Sequence, residues 1–180
     1  MIRIKVKGIS SLTDARYCAG MGVEKLEIVF EANGNSHFRQ NELKAIQAWI
    51  EGVEWTGEYL GKDQNIFVQL VENTQIKNWT ITKEFYQSLS PISENISYFL
   101  KTDIPIYGPD IKGFESNTYF HLREGLFWLD DVQNVEELIS IHKTNPEIGF
   151  VLHSSEEDRP GWMDLSHLQD ILEKLEAADN

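Results

Sequence analysis

Lys7 closes an alternating run in which Ile2, Ile4 and Val6 interleave with Arg3, Lys5 and Lys7, and Gly8 follows it, so its amine stands where a strand ends. An amine in that place can form a Schiff base, anchor an anion or pair with a carboxylate such as Asp130. Asp130 and Asp131 are adjacent carboxylates that could hold a hard cation or share acid and base work. The same pair also suits a turn, with negative charge favourable ahead of a helix begun near Asn134. His153 follows an apolar run and precedes Ser154 and Ser155. Its imidazole titrates near neutral pH and can act as a general base, while the serines offer backbone donors or helix caps. No nucleophile and orienting acid can be matched to His153 by spacing. Cys18 lies four residues after Asp14 in a helical stretch and reads as a buried packing residue. The tryptophans read as core, with Trp79 and Trp162 the exceptions because both sit in loop-like sequence. Glu156, Glu157 and Asp158 read as a solvated loop.

The elements that position these residues alternate in kind. Ser11 to Asp14 has capping-box spacing, which predicts a helix over Leu12 to Ala19, and Gly20 and Gly22 then turn the chain into a strand from Lys25 to Phe30. Leu43, Ile46 and Ile50 share a helical face, and Val53 to Tyr59 is rich in strand formers. Ile66 to Val71 reads as a strand, Ile81, Phe85 and Leu89 as a helix, and Ile96 to Leu100 as a strand. Thr118 to Leu122 and Leu126 to Leu129 are strand-like. Val135, Leu138 and Ile139 line a helix, Ile148 to Leu152 is a last strand, and Asp164 caps a closing helix whose tail frays from Glu173. This is α/β grammar in one domain over residues 1–180. Parallel crossovers need a dozen residues or more, yet 61–65 and 123–125 supply only a few. Either helices have been deleted or one member of each close pair is a hairpin or loop.

With 16 Lys+Arg against 29 Asp+Glu, the net charge of the 180-residue chain is −13, and 41% of it is hydrophobic. That is a folded, acidic protein that does not attract nucleic acid or an anionic membrane. One cysteine and scattered histidines make no metal-ligand pattern, so neither a metal nor a cofactor is expected. Charges in the first residues forbid a signal-peptide core and no stretch is long and apolar enough to span a bilayer, which makes a cytoplasmic protein the expectation.

The opening Ile4-Lys5-Val6-Lys7-Gly8-Ile9-Ser10-Ser11-Leu12-Thr13-Asp14-Ala15, then Gly20-Met21-Gly22-Val23 and Leu26-Glu27-Ile28-Val29-Phe30, resembles the N-terminus of phosphoribosylanthranilate isomerases. Val151-Leu152-His153-Ser154-Ser155, Pro160-Gly161-Trp162-Met163-Asp164 and Leu129-Asp130-Asp131-Val132 resemble later segments of that family. The likeness covers about the first 50 and last 60 residues and implies a TIM-type (β/α)8 barrel, here shortened or irregular with some crossover helices missing, whose site lies at the carboxyl ends of the strands.

The resemblance also implies roles. The family's basic cysteine aligns with Lys7, an ammonium that is no base at its ordinary pKa of about 10.4. Its acidic aspartate has no counterpart in Tyr119-Phe120-His121-Leu122-Arg123, where His121 would donate a proton if it pointed into the barrel. Its carboxylate-binding arginine falls at Ser36 beside His37. Its phosphate-binding glycines fall at Asp130 and Asp131, and Ser154 and Ser155 are followed by Glu156, Glu157 and Asp158, which puts anions where a dianion would sit. The expectation is an isomerase-like barrel that has lost the family chemistry and acts as a binding or regulatory protein or as an enzyme of unknown substrate, with an unidentified small molecule in its mouth. The alternatives are an active isomerase, with Lys7 as base and His121 or Asp130 as acid, and a structural subunit whose aromatic surface joins it to a copy of itself, as a homodimer, or to a partner.

Overall fold

The computed structural model describes residues 2–36, 38, 40–90, 92, 95–102, 118–130, 132, 134–154, 157–159, 162–163 and 166–179. Eight strands close into one barrel in chain order. The first five alternate with helices: β1 (Arg3–Lys7), α1 (Leu12–Gly20), β2 (Lys25–Phe30), α2 (Gln40–Trp49), β3 (Glu54–Tyr59), α3 (Gln64–Thr74), β4 (Asn78–Thr82), α4 (Lys83–Ser88) and β5 (Ser97–Thr102). Then come β6 (Thr118–His121), β7 (Leu126–Asp130), α5 (Val135–Thr144), β8 (Gly149–His153), a small antiparallel pair β9 (Glu157–Arg159) and β10 (Trp162–Met163), and α6 (Ser166–Asp179).

Local signals explain most of these boundaries. The Ser11 hydroxyl accepts from the Asp14 N–H, and the Asp14 carboxylate accepts from the Ser11 N–H, so both members of the capping box are made. Asn134 caps α5 by accepting from the N–H groups of Glu136 and Glu137. The run Ile66 to Val71 is helical, not a strand. Asp63 caps α3 there, and Phe67, Leu70 and Thr74 recur at helical spacing on its buried face. The short 61–65 stretch is thus a loop leading into a crossover helix. The strand that the periodicity left out is β4, at whose end Thr82 caps α4. Asp164, the expected cap of α6, lies outside the described residues, and α6 runs on past Glu173 to Asp179 with Leu175 buried, where fraying was expected.

Seven strands run one way round the barrel and also close it, β1 pairing in parallel with both β2 and β8. The exception is β6, which pairs antiparallel with both β5 and β7. The four residues Leu122–Gly125 that join β6 to β7 are a hairpin turn, with the Gly125 N–H donating to the His121 carbonyl at 2.8 Å and Gly125 itself at φ +68°. A hairpin needs no crossover helix, which accounts for the short 123–125 gap. Six helices stand among the described residues, fewer than the eight of a full (β/α)8 barrel.

The alternation in β1 has its apolar side outward. Ile4 and Val6 pack in the main core beneath the helices, while Arg3, Lys5 and Lys7 face the lumen. The lumen is divided in chemistry. Lys5, Glu27, Thr56 and Thr80 are buried on the β1–β4 side, and Phe99, Tyr119, Trp128 and Val151 form a separate apolar cluster on the β5–β8 side. Lys5 joins the halves: its ammonium donates to Glu27 at 2.9 Å and lies 4.4 Å from the Phe99 ring centre and 4.9 Å from that of Tyr119. Trp79 is fully buried in β4, its indole N–H donating to the Ile76 carbonyl at 2.9 Å, whereas Trp49 is 75% exposed, so the expectations for these two are reversed. The side chain of Trp162 is not among those described. Cys18 is buried in α1, and burial pushes its thiol up to about 12. None of the described helices is long and apolar enough to cross a membrane.

Candidate functional site

Five side chains from five strands meet at the carboxyl end of the barrel. The Lys7 ammonium donates to Glu58, with both carboxylate oxygens at 2.9 Å, and lies 3.4 Å from the Tyr119 hydroxyl. Tyr119 donates to Asp130 Oδ2 at 3.0 Å, and Asp130 Oδ1 is 2.5 Å from His153 Nε2. The register explains the meeting. Lys7 of β1 is paired with His153 of β8, so neighbouring strands aim both side chains into the same layer. The reversal of β6 brings Tyr119 up beneath them from the opposite direction.

Exposure within this group is uneven. The His153 side chain is 51% exposed and that of Lys7 18%, against 4% for Asp130 and 9% for Glu58. Burial opposes the charge on Lys7, but Glu58, with Glu27 and Asp130 behind it, more than offsets that and holds the ammonium above its usual range. Burial would also neutralise Asp130, yet the bond to His153 and its charge, with help from Tyr119 and Lys7, keep that carboxyl below the usual carboxylate range. Glu58 goes the other way: burial and the nearby Glu27 carboxylate push it up against the pull of Lys7. Two carboxyls in one mouth are therefore driven apart, a pattern suited to proton transfer. The Asp130–His153 contact supplies the orienting acid for His153 that spacing in the chain does not reveal.

The sequence-derived residues separate by location. Lys7, Asp130 and His153 come together, with Ser154 next to them. The Ser154 N–H is committed to the Lys7 carbonyl at 2.8 Å, and the N–H groups of Gly8 and Ile9 both donate to the Glu27 carbonyl at 3.0 Å. Ser36 follows β2, and its hydroxyl donates to the Phe38 carbonyl at 2.9 Å, closing a local turn. His37, Asp131, Ser155 and Glu156 lie outside the described residues. His121 does not join the mouth. Because β6 is reversed, its carboxyl end lies at the amino end of the other strands, and the expectation that His121 donates a proton at the mouth is corrected by that geometry. Asp130 is corrected in a different sense: its carboxylate is not displayed to an incoming anion but buried under His153.

His121 instead belongs to a network at the amino end. Its Nε2 is 2.8 Å from the Ser97 hydroxyl and its Nδ1 3.0 Å from Glu124, while burial pulls its pKa down against the pull of Glu124. Glu124, carried on the β6–β7 turn, accepts from Arg3 at 2.8 Å, and Arg3 also grips Glu24 through two bonds of 3.0 and 2.8 Å. Glu24, Glu54 and Glu124 converge closely enough to hold a metal ion. Lys25 already occupies that position, its ammonium bonded to Glu54, 2.9 Å from Glu24 and 3.4 Å from Glu124.

Glu58 and Tyr119 are the site residues that the sequence reading missed. For Glu58 a signal existed, because Glu54, Thr56 and Glu58 alternate as polar residues within a strand. Tyr119 carried none, because the reversal of β6 is not written in its periodicity.

No protein-family model and no curated protein matches the sequence. Solved structures do match, along essentially the whole chain. A phosphoribosyl anthranilate isomerase from Thermus thermophilus superposes with a TM-score of 0.65 at 16% identity, covering 98% of this chain and 99% of that one. The enzyme from Thermotoga maritima gives 0.64 at 17% identity, covering 98% and 100%. The N-(5'-phosphoribosyl)anthranilate isomerase from Pyrococcus furiosus gives 0.66 at 10% identity, also covering 98% and 100%. The chain therefore has the barrel fold of the phosphoribosylanthranilate isomerases, at a level of identity that speaks for the fold alone.

Proposed function

We propose that this protein is an isomerase-like barrel that binds a small molecule at the carboxyl ends of its strands and does not isomerise phosphoribosylanthranilate. The observation that carries this reading is the state of Lys7. It stands where the resemblance places the catalytic base, yet its ammonium is held by both oxygens of Glu58 and kept above its usual pKa. A group that stays protonated accepts no proton at neutral pH. The reading in which Asp130 is the acid meets the opposite obstacle, since His153 keeps that carboxyl ionised. The backbone donors of Gly8, Ile9 and Ser154, which could cradle a phosphate near this mouth, are spent within the barrel.

Incubating the purified protein with phosphoribosylanthranilate and following loss of substrate fluorescence tests the proposal. No turnover above the uncatalysed rate is expected, and expression in a tryptophan auxotroph lacking the isomerase should leave it unable to grow. Turnover that Lys7→Ala abolishes would overturn the reading.

A further inference from the structure

A cavity of about 290 Å³ lies at the amino end of the barrel, away from the mouth, between the starts of β3 and β4. That is near the lower bound, roughly 300 Å³, for sites that take small molecules. The cavity straddles the sheet. Trp79 packs outward on Phe30 and Phe67, so Asn78, its neighbour in β4, is on the lumen side. Val53, Trp55 and Ile76 reach the cavity from the helix side, where they pack in or on the main core. The turn between α3 and β4 supplies the rest, and its form is costly. Gln75 ends α3 at φ +58°, a left-handed conformation that glycine or asparagine adopts more cheaply, and among the described residues no other non-glycine has a positive φ. Lys77, Asn78 and Gln75 all line the cavity with polar side chains that have no partner among the described residues. Asn78 is the most demanding of them, because it is only 5% exposed and a carboxamide buried without hydrogen bonds is destabilising. The Trp55 indole N–H is also buried without an acceptor. Glu54, the acidic residue of the lining, is by contrast bonded to Lys25.

We infer that this amino-end cavity binds a small organic carboxylate that carries a hydroxyl or amide beside the acid group. Lys77 meets the carboxylate, Asn78 and Gln75 meet the neighbouring polar group, and Val53, Trp55 and Ile76 cover the apolar remainder. The site is separate from the mouth, and nothing in it depends on how Lys7 and His153 are engaged. Each part of the ligand answers a group that the fold leaves unmet. A carboxylate gains a charge-assisted hydrogen bond from an ammonium that no protein carboxylate holds. A carboxamide presents a donor and an acceptor together, and a hydroxyl or amide satisfies both. An acid with no second polar group would leave Asn78 unbonded and cut off from water, and a neutral polyol would leave the Lys77 charge without a partner. An amine would be repelled by Lys77.

The test is titration of the isotope-labelled full chain, followed by proton–nitrogen NMR, with phenyllactate, hydrocinnamate and 3-phenylpropane-1,2-diol. Hydrocinnamate lacks the hydroxyl and the diol lacks the carboxylate. Phenyllactate should give saturable shifts at the Trp55 indole N–H, the Asn78 carboxamide and the backbone amides from Gln75 to Asn78, and the other two should bind about fivefold or more weakly. Lys77→Gln should weaken phenyllactate by about five- to tenfold and leave the diol unchanged. Asn78→Ala should remove the advantage of phenyllactate over hydrocinnamate, with the fold checked by circular dichroism. Lys77 is exposed, so Lys77→Gln decides the matter if Asn78→Ala does not fold. No saturation by phenyllactate, equal affinity for the three probes, Lys77→Gln without effect, or shifts confined to Lys7, Tyr119 and His153 at the mouth would each overturn the assignment.

Discussion

Asp130 shows how one side chain is governed by its neighbours. Desolvation would raise its pKa, but His153 and Tyr119 donate to it and Lys7 lies close, so the folded protein holds it below the usual value. A carboxyl depressed on folding contributes stability above its unfolded pKa of about 3.9, and that contribution is lost as pH falls through the lower folded value. Acid unfolding of the wild type should therefore include a loss beginning below about pH 4 that Asp130→Asn lacks. At neutral pH the variant should be less stable by about 1–2 kcal/mol, discounted from the range for buried pairs because His153 is half exposed. Urea denaturation midpoints at pH 7 and pH 3 would check this. Equal acid sensitivity in the two proteins would show that the depression of Asp130 contributes nothing to folding. Lys7 is the complementary case: its raised pKa gives stability that is present below its unfolded value and lost only as pH rises through the folded one, well outside the physiological range.

Among the elements, β3 and β4 are matched by a glycine facing a tryptophan. Gly57 and Trp79 are register partners, and a Cβ placed on Gly57 would lie 2.6 Å from the Trp79 ring. Trp79 cannot retreat easily, because Phe30 and Phe67 pack on it at ring-centre distances of 5.5 and 5.1 Å and its N–H is tied to Ile76. Gly57→Ala is therefore expected to destabilise the barrel by about 2–3 kcal/mol through overpacking, although alanine is no worse a strand former than glycine. Thermal unfolding would register the change, and a neutral result would mean that the ring shifts freely. The β6–β7 hairpin is a second matched unit. Its reversed strand sends Tyr119 to one end of the barrel and His121 to the other, and its turn places Glu124 against Arg3, Lys25 and His121.

Across the whole molecule, two populations of charge behave differently. The surface carries the excess behind the net charge of −13, and those carboxylates repel one another through water. The lumen holds opposite charges in contact, Lys5 with Glu27 at 2.9 Å and zero exposure on both sides. Salt screens the first population and hardly reaches the second. Raising sodium chloride from low ionic strength to about 0.2 M should increase stability by on the order of 1 kcal/mol. A decrease in the thermal midpoint would mean that exposed ion pairs outweigh surface repulsion.

What the chain encodes locally was readable from it. The capping box at Ser11 and Asp14, the strand Lys25 to Phe30, the Asn134 cap and the alternation of elements all depend on residues a few positions apart, whose hydrogen bonds and burial close within one turn or one strand. The identity of Lys7, Asp130 and His153 as strand-end residues was equally local. Only the tertiary structure decided which face of β1 looks into the barrel, because a charged and an apolar side alternate with the same period whichever is inside. It also decided that β6 runs backward, since reversal changes no residue's neighbours in the chain. From that reversal follow the presence of Tyr119 in the mouth and the removal of His121 from it, while the contacts that join Lys7 to Glu58 and Asp130 to His153 span separations of 51 and 23 residues. Such pairings arise from barrel closure, which no local pattern of the sequence carries.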